Sequence, residues 1–192
     1  MIRSITEIIN FDRDAPGTLP MSWAQGVTGK GAPCWAVRQD PSAPSKPNVL
    51  QQSGSGTFPW CVLRASSIAH GHVEVKFKAL AGEEDQAGGV VWRWKDGNHY
   101  YVARANALEN NVSLYFTEGG RRNTLNYVDA PVPPNAWHML RVDFSGQHIA
   151  VALNGRIYIE LDDDHIQGAG AVGLWTKADS VTAFDDFSFG AK

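Results

Sequence analysis

The stretch that decides the fold covers residues 85–116 and reads DQAGGVVWRWKDGNHYYVARANALENNVSLYF. Two runs rich in β-branched and aromatic residues, 88–94 and 100–105, flank Lys95-Asp96-Gly97-Asn98. An Asp-Gly pair between two such runs is a strong signal for a β-hairpin. A third run, residues 112–116, follows after a short turn. The stretch therefore predicts three consecutive antiparallel strands in the middle of a sheet.

The first of these strands should have two unlike faces, because successive side chains in a strand point to opposite sides of the sheet. Val90, Trp92 and Trp94 would share one face, while Arg93 and Lys95 would lie on the other. We expect the first face to join a hydrophobic core. The second face is suited to solvent or to a ligand.

Short apolar runs separated by turn residues continue along the chain. An edge strand should end at Phe11, although Ser4 and Glu7 also allow a capped helical turn before it. Residues 23–33 read as an irregular segment, and the polar, Pro-rich residues 121–134 read as a connection. Further strands are expected at 34–39, 49–52, 60–64, 72–79, 137–144, 149–153, 156–161, 171–176 and 184–189.

This pattern contains about a dozen short strands and no amphipathic helix of normal length. It predicts a single all-β domain spanning residues 1–192, built as a two-sheet antiparallel β-sandwich with very little helix. A chain of this length can bury a sizeable core without covalent cross-links.

The charge balance excludes two classes of partner. The chain has 17 basic and 20 acidic residues, a net charge of -3, and no block of like charge. We therefore expect neither nucleic-acid binding nor attraction to an anionic membrane. No apolar run approaches the length of a membrane span, and the N-terminus lacks a secretory signal pattern. Met1 could nevertheless replace a removed leader, so localisation stays open.

The two cysteines, Cys34 and Cys61, lie in strand-like runs and could form one bridge. Neither has a neighbouring His or Cys at metal-ligand spacing. Cysteines inside strands are commonly free and buried, so we expect free thiols.

Several separate pieces of the chain resemble one family when they are read in order. They are Asn10-Phe11-Asp12, residues 85–93 and 98–104, Trp137-His138, Leu153-Asn154-Gly155, Gly173-Leu174-Trp175-Thr176 and Phe184-Asp185-Asp186-Phe187. Together they resemble the concanavalin A-like jelly rolls, in particular the bacterial laminin-G-like domains and the related domain of 3-keto-disaccharide hydrolases. The resemblance covers residues 11–189. It implies two curved sheets, adjacent first and last strands, and a concave face on which relatives commonly hold sugars.

The resemblance also separates this chain from the retaining β-glucanases of that fold, because no Glu-x-Asp-x-x-Glu motif is present. Retaining glycoside hydrolysis requires two carboxylates about 5 Å apart, one as nucleophile and one as acid/base. The strand at 72–79 offers only Glu74, and we expect the acidic Glu83-Glu84-Asp85 to be a solvated turn. His138 fits hydrogen-bonded packing better than a catalytic base.

Three functions remain open from the sequence. The first is a glycan-binding or accessory module of bacterial carbohydrate metabolism that binds on the concave face. The second is a glycoside hydrolase acting on 3-keto-disaccharides or related modified sugars. The third is a structural laminin-G-like interaction domain. A binding module needs a polar groove with an aromatic rim, whereas an enzyme also needs an acid or base with a perturbed pKa.

The ligand site is expected where charged and aromatic side chains rise from one sheet face, because the planar fork of arginine can grip two hydroxyls or a carboxylate. The alternative is an internal network of ion pairs that only satisfies a polar sheet face. The candidate ligand-binding residues are Glu74, Lys76, Arg93, Tyr100, Arg104 and Tyr115.

A structural calcium ion is a further expectation, although no cofactor is required. Asp12 near the start and Asp185 near the end would be its ligands if the first and last strands pair, since Ca²⁺ prefers carboxylate and carbonyl oxygens. The alternative is that these aspartates only cap turns.

Overall fold

The computed structural model describes residues 6–192, which form fifteen strands and no helix. None of these residues therefore belongs to a helix that could cross a membrane. The strands are β1 Glu7–Ile9, β2 Trp23–Ala32, β3 Trp35–Gln39, β4 Asn48–Gln52, β5 Ser55–Leu63, β6 Gly71–Ala81, β7 Ala87–Asp96, β8 His99–Asn106, β9 Asn111–Glu118, β10 Arg121–Asp129, β11 Trp137–Ser145, β12 His148–Leu153, β13 Arg156–Asp162, β14 Ala171–Trp175 and β15 Val181–Ala191.

The strands form two antiparallel sheets, as the sequence predicts. The eight-stranded sheet has the order β13-β12-β11-β6-β15-β4-β3, with β1 paired to β15. Its strand β6 alternates strictly between buried and half-buried residues, so Val75 and Phe77 enter the core while Lys76 and Lys78 face outward. The first and last strands are neighbours, with Glu7 opposite Phe189.

The seven-stranded sheet has the order β10-β9-β8-β7-β14-β5-β2. The three strands predicted within residues 85–116 are β7, β8 and β9, which are consecutive neighbours. The predicted hairpin turn joins β7 to β8 at Asp96 and His99. A second predicted turn, Asn154-Gly155, has the positive φ angles of 51° and 82° that a type I′ turn requires.

The core lies between the two sheets. Trp92 of β7 stacks on Tyr101 of β8 with ring centroids 5.3 Å apart, and on Phe144 of β11 at 5.9 Å. Val90 and Leu114 complete this layer from the seven-stranded sheet. Each such fully buried side chain stabilises the folded state by about 1.5 to 3 kcal/mol.

The outer face of the seven-stranded sheet is also buried, which is unusual for a face turned away from the core. Val91, Tyr100, Val102, Tyr115 and Trp175 form a second apolar cluster there. The alternation between buried and exposed residues is therefore absent from β8 and β9. Side chains of the same sheet cover this face.

Two expectations about secondary structure were wrong. Residues 23–32 form the strand β2, which pairs with β5 and has a register shift between Thr28 and Gly31. Its Gly26 lies under the ring of Trp60 with no room for a Cβ atom. Residues 121–129 form the edge strand β10, which is mostly exposed or half-buried. An edge strand at the solvent boundary needs little apolar alternation, so the polar sequence conceals it.

Smaller expectations have mixed outcomes. The first strand ends at Ile9, and Phe11 adopts a left-handed φ of 65°. The possible helical turn at Ser4 lies outside the described residues. Both cysteines are free as expected, with Cys61 buried and Cys34 exposed between β2 and β3.

Candidate functional site

The outer face of the seven-stranded sheet is strongly concave. Arg122 of β10 lies over the ring of Phe58 of β5 at 4.8 Å, although five strand spacings separate the two strands. In a flat sheet those strands would be about 24 Å apart. On the same face, the hydroxyl of Thr28 on β2 lies 2.7 Å from that of Tyr100 on β8. The sheet therefore curls until side chains from distant strands meet above its middle.

Arg104 is the centre of the polar part of this face and is only 2% exposed. Its Nε donates to the hydroxyl of Tyr115 at 3.1 Å, and its Nη2 donates to the Glu109 carboxylate at 2.9 Å. Its Nη1 donates to Asp85 at 3.3 Å. We refer to Asp85, Arg104, Glu109 and Tyr115 as the Arg104 cluster. Because every nitrogen of the guanidinium has a partner, Arg104 is rigidly held.

Asp85 is fully buried at the base of this cluster. The amide of Asn106 donates to its Oδ1, and its Oδ2 lies 2.6 Å from the ammonium of Lys177. A buried carboxylate is tolerated only where opposite charges and hydrogen bonds compensate for lost hydration. Arg104 and Lys177 supply that compensation.

Arg122 lies above the cluster and is held differently. Its guanidinium carbon is 4.2 Å from the ring centroid of Tyr115 and 6.0 Å from that of Trp175. Trp175 itself stacks on Phe58 at 5.4 Å. The Nη1 atom of Arg122 is buried and has no hydrogen-bond partner among residues 6–192. Aromatic rings thus position this cation without neutralising it.

Two open grooves of about 400 Å³ each flank these residues. Phe58, Glu84 and Lys177 help to line the first, and Glu109 helps to line the second. This volume lies within the range of small-molecule sites, which are roughly 300 to 1,000 Å³. A ligand in either groove would touch a charged side chain that is already oriented.

The exposed carboxylate of the site, Glu109, does not have the raised pKa that a general acid needs. Burial alone would raise the pKa of Glu109, but the hydrogen bond from Asn111 and the charge of Arg104 lower it overall. Asp85 is enclosed between two cations with no exposed surface. A retaining glycosidase needs one carboxyl group with a raised pKa. Glu109 does not meet that requirement, and Asp85 has no exposed surface with which to reach a substrate.

The structure brings together three of the candidate ligand-binding residues. Arg104 and Tyr115 belong to the Arg104 cluster, and Tyr100 lies on the same face of β8 as Arg104. The hydroxyl of Tyr100 contacts Thr28 and is buried, so it supports the site from below.

Glu74 and Lys76 do not meet these residues. They lie on β6, in the other sheet, and face outward on the opposite side of the core. Glu74 pairs with Arg141 at 3.4 Å, and Lys76 pairs with Asp186 at 2.8 Å. Glu74 and Lys76 therefore do not share a sheet face with Arg104 as expected, because β6 pairs with β11 and β15 instead of the hairpin that follows it in the chain.

Arg93 is also directed elsewhere. A register shift follows Trp92, and Arg93 adopts a left-handed φ of 46°. Its guanidinium donates to the carbonyls of Ala69, Gly146 and Ile166 at 2.7 to 3.0 Å. The simple alternation that placed Arg93 beside Arg104 fails at this irregularity. Arg93 instead ties three loops together at one end of the sandwich.

Sequence reasoning missed Asp85, Glu109 and Arg122 as site residues. Asp85 was expected in a solvated turn, yet the backbone of that turn is fixed by Asp179, which accepts from the amides of Glu83, Glu84 and Asp85. Position Arg122 fell within a presumed connection. The alternating pattern of Arg104 and Tyr115 gave the correct face, but no local signal identified what lies above it.

The proposed metal ligands lie near one another without forming a typical cluster. Asp12 accepts from the amide of Asn48 at 2.9 Å, and Asp185 accepts from the amide of Ser45 at 2.7 Å. Burial, followed by the charges of Asp186 and Asp12, raises the pKa of Asp185 to about 7. No group of three or more His, Cys, Asp or Glu side chains within residues 6–192 is arranged to hold a metal. The buried Oδ1 of Asn48 has no hydrogen-bond partner there.

The comparisons with known proteins give structural matches only. No protein-family model matches the chain, and no curated protein does. The carbohydrate-binding module CBM66 from Bacillus subtilis matches with a TM-score of 0.72 and 18% identity, over 86% of this chain and 93% of that one. A protein of unknown function with a galectin-like fold, also from Bacillus subtilis, matches with a TM-score of 0.64 and 11% identity, over 88% of each chain. The β-glucanase of Bacillus licheniformis matches with a TM-score of 0.63 and 11% identity, over 98% of each chain.

At these identities the matches establish the fold and nothing finer. The two curved antiparallel sheets, the adjacent terminal strands and these structural matches together show that the chain has the concanavalin A-like jelly-roll fold.

Proposed function

We propose that this protein binds carbohydrate on the concave outer face of the seven-stranded sheet. The observation that carries the proposal is the pairing of half-buried Phe58 with Arg122 beside an open groove, directly above the fully hydrogen-bonded Arg104. Sugars present apolar ring faces and hydroxyl edges, so a binding site needs both an aromatic surface and rigid polar groups. On this face the aromatic surface and the polar groups lie in contact with each other.

The comparisons support a carbohydrate ligand in coarse terms. CBM66 is a carbohydrate-binding module, and the β-glucanase acts on a glycan. A rigid Arg104 holds Tyr115 in place beneath Arg122, so the site needs little reorganisation when a ligand binds, which favours affinity. Phe58 lines the groove and offers apolar surface to a sugar ring.

A hydrolase of modified disaccharides is the second candidate, and the shared fold with a β-glucanase favours it. Its weakness is that Glu109, the exposed carboxyl group of the Arg104 cluster, is poorly suited to donate a proton. Glu109 has a lowered pKa and already accepts a hydrogen bond from Arg104. We therefore favour binding without turnover.

A glycan-array screen followed by calorimetry would test the binding proposal. Arg104→Gln and Phe58→Ala should each weaken binding of any glycan identified by at least about 10-fold, since Arg104 holds Tyr115 beneath Arg122 and Phe58 supplies the aromatic surface. Arg141→Gln is a matched control. Arg141 also pairs with two carboxylates, Glu74 and Asp143, but on the outer face of the other sheet.

Binding should be measured well below the melting temperature of each variant, with circular dichroism as the check that it is folded. Equal affinities for the parent and all three variants would place the site elsewhere. Absence of binding across a broad panel would instead favour a structural interaction domain. Clear turnover of 3-keto-glycosides would show that the non-catalytic proposal is wrong.

We also propose a structural calcium ion near Asp12 and Asp185. The support is chemical: a buried Asp185 carboxylate, an unpartnered Asn48 oxygen and a neighbouring Asp12 are hard oxygen donors. A bound cation would stabilise the ionised form of Asp185. Its role would be to fasten the first and last parts of the chain together.

A further inference from the structure

One cation on the concave face has no ion-pair partner among residues 6–192. Two cations, Arg104 and Lys177, pair with two carboxylates, Asp85 and Glu109, at distances of 2.6 to 3.3 Å. Arg122 is the remaining cation, and it forms no ion pair within the described part of the chain. Arg122 is therefore the cation of this site without a directly paired carboxylate.

Arg122 is also fixed in place. Its guanidinium carbon lies 4.2 Å from the centroid of Tyr115 and 4.8 Å from that of Phe58, and such stacking holds the planar group while leaving its nitrogens to form hydrogen bonds. Its Nη1 is buried without a partner among residues 6–192. A buried, unsatisfied donor is unfavourable, and a charged one more so. An acceptor carrying negative charge would relieve both the missing hydrogen bond and the missing countercharge.

The planar fork of an arginine fits a carboxylate with two parallel hydrogen bonds. Neighbouring groups exclude a strongly anionic ligand, because the exposed carboxylates of Glu84 and Glu109 line the two grooves. A ligand with an isolated carboxylate and several hydroxyls would pair with the arginine without being strongly anionic. Uronic acids and other carboxylated sugars have this composition.

We propose that the concave face selects an acidic sugar, with Arg122 binding its carboxylate, Phe58 contacting the remainder of the ring, and the buried Arg104 holding Tyr115 in place beneath Arg122. This inference rests on the proposed carbohydrate function and specifies its substrate class. Binding of the carboxylate would require a small movement of the Arg122 side chain to present Nη1. Arg122 as a whole is only half-buried, which leaves part of its guanidinium accessible to a ligand.

The test uses polygalacturonate, alginate, glucuronoxylan and hyaluronan, each beside its carboxyl-reduced form. Carboxyl reduction leaves the sugar configuration and replaces only the charged group by a hydroxymethyl group. At least one acidic polymer should bind roughly 10- to 100-fold more tightly than its reduced form. Arg122→Gln should remove that preference. Arg121→Gln, the exposed neighbour on β10, changes the net charge equally and should leave affinity and preference unchanged.

Arg122→Lys separates charge from geometry, because lysine retains the charge without the planar fork. Arg122→Lys should recover only part of the preference for an acidic polymer over its reduced form. Melting temperatures of all variants identify any that fail to fold, and Arg122→Met, which preserves the apolar stem, replaces Arg122→Gln if that variant does fail.

The possible results distinguish this inference from the broader function. Equal or tighter binding of the reduced polymers, weakened by Phe58→Ala, would overturn the acidic-sugar inference and retain the carbohydrate function. Tighter binding of dextran sulfate or heparin than of any uronate would overturn the carboxylate assignment. Arg121→Gln could reduce the preference for acidic polymers as much as Arg122→Gln does. That result would show a nonspecific charge effect and would also overturn the acidic-sugar inference. Failure of every neutral and acidic glycan to bind would refute both proposals.

Discussion

Replacing Arg93 with alanine should lower the melting temperature by roughly 10 °C and leave glycan affinity unchanged. Arg93 is 2% exposed and donates four hydrogen bonds to the carbonyls of Ala69, Gly146 and Ile166. These carbonyls belong to three separate connections between strands. The side chain also lies over the ring of Phe144 at 5.6 Å. Arg93 is therefore a structural link at the end of the sandwich and does not contact the concave face.

The size of the effect follows from these contacts. A hydrogen bond from a charged donor contributes about 1.5 to 3 kcal/mol, but such contributions are not additive and water can reach part of this region after truncation. Including the lost packing against Phe144, we expect Arg93→Ala to lower the free energy of unfolding by about 3 to 5 kcal/mol. For a domain of this size, each kcal/mol shifts the melting temperature by roughly 2 to 4 °C.

Thermal melts followed by circular dichroism would measure the change, and calorimetry would measure affinity for any glycan identified. Arg93→Lys should recover only part of the stability, because one ammonium group cannot reach all three carbonyls. Lys95→Ala is the control: Lys95 is exposed and contacts one carbonyl, that of Ala169, so its loss should change stability by less than about 0.5 kcal/mol. A melting temperature of Arg93→Ala within 2 °C of the parent, or a loss of glycan affinity at a temperature where it is folded, would refute this reasoning.

Two further predictions concern the rest of the molecule. Burial raises the folded-state pKa of Asp185 to about 7. The contribution of this carboxyl group to the stability of the folded state is therefore complete below its unfolded pKa near 4 and is lost as the pH rises through 7. Relative to Asp185→Asn, the parent should lose up to about 4 kcal/mol of unfolding free energy between pH 4 and pH 8. Calcium at pH 8 should raise the melting temperature of the parent but not of Asp185→Asn, and melts unaffected by calcium or chelator would exclude the metal. Ellman reagent should titrate two thiols in denaturant and only Cys34 in the native protein, since Cys61 is fully buried; a native titre of two would contradict the described packing.

Much of the fold was predictable from local sequence. The Asp96-Gly97 and Asn154-Gly155 pairs specify their turns because few residues adopt the required backbone angles. The alternation of Val73, Val75 and Phe77 with charged residues specifies a half-buried strand. Turn chemistry and a two-residue period are properties of neighbouring residues, so sequence alone reveals them.

The candidate site was only partly predictable, because only part of it depends on residues that are neighbours in the sequence. Arg104 and Tyr115 lie in adjacent strands of one meander, and alternation placed them on the correct face. Glu74 was assigned to that face because β6 precedes β7 in the chain, but β6 joins the other sheet. Arg93 was assigned to the wrong face because a register shift interrupts the alternation on which that assignment was based.

Sequence by itself therefore determined the strands, most of their turns and the all-β class. Tertiary structure alone decided which strands share a sheet and how far each sheet curls, because these depend on packing between residues distant in sequence. The clearest case is Arg122, a polar residue in an unremarkable edge strand. It becomes a candidate binding residue only because the curled sheet brings it over Phe58, five strand spacings away.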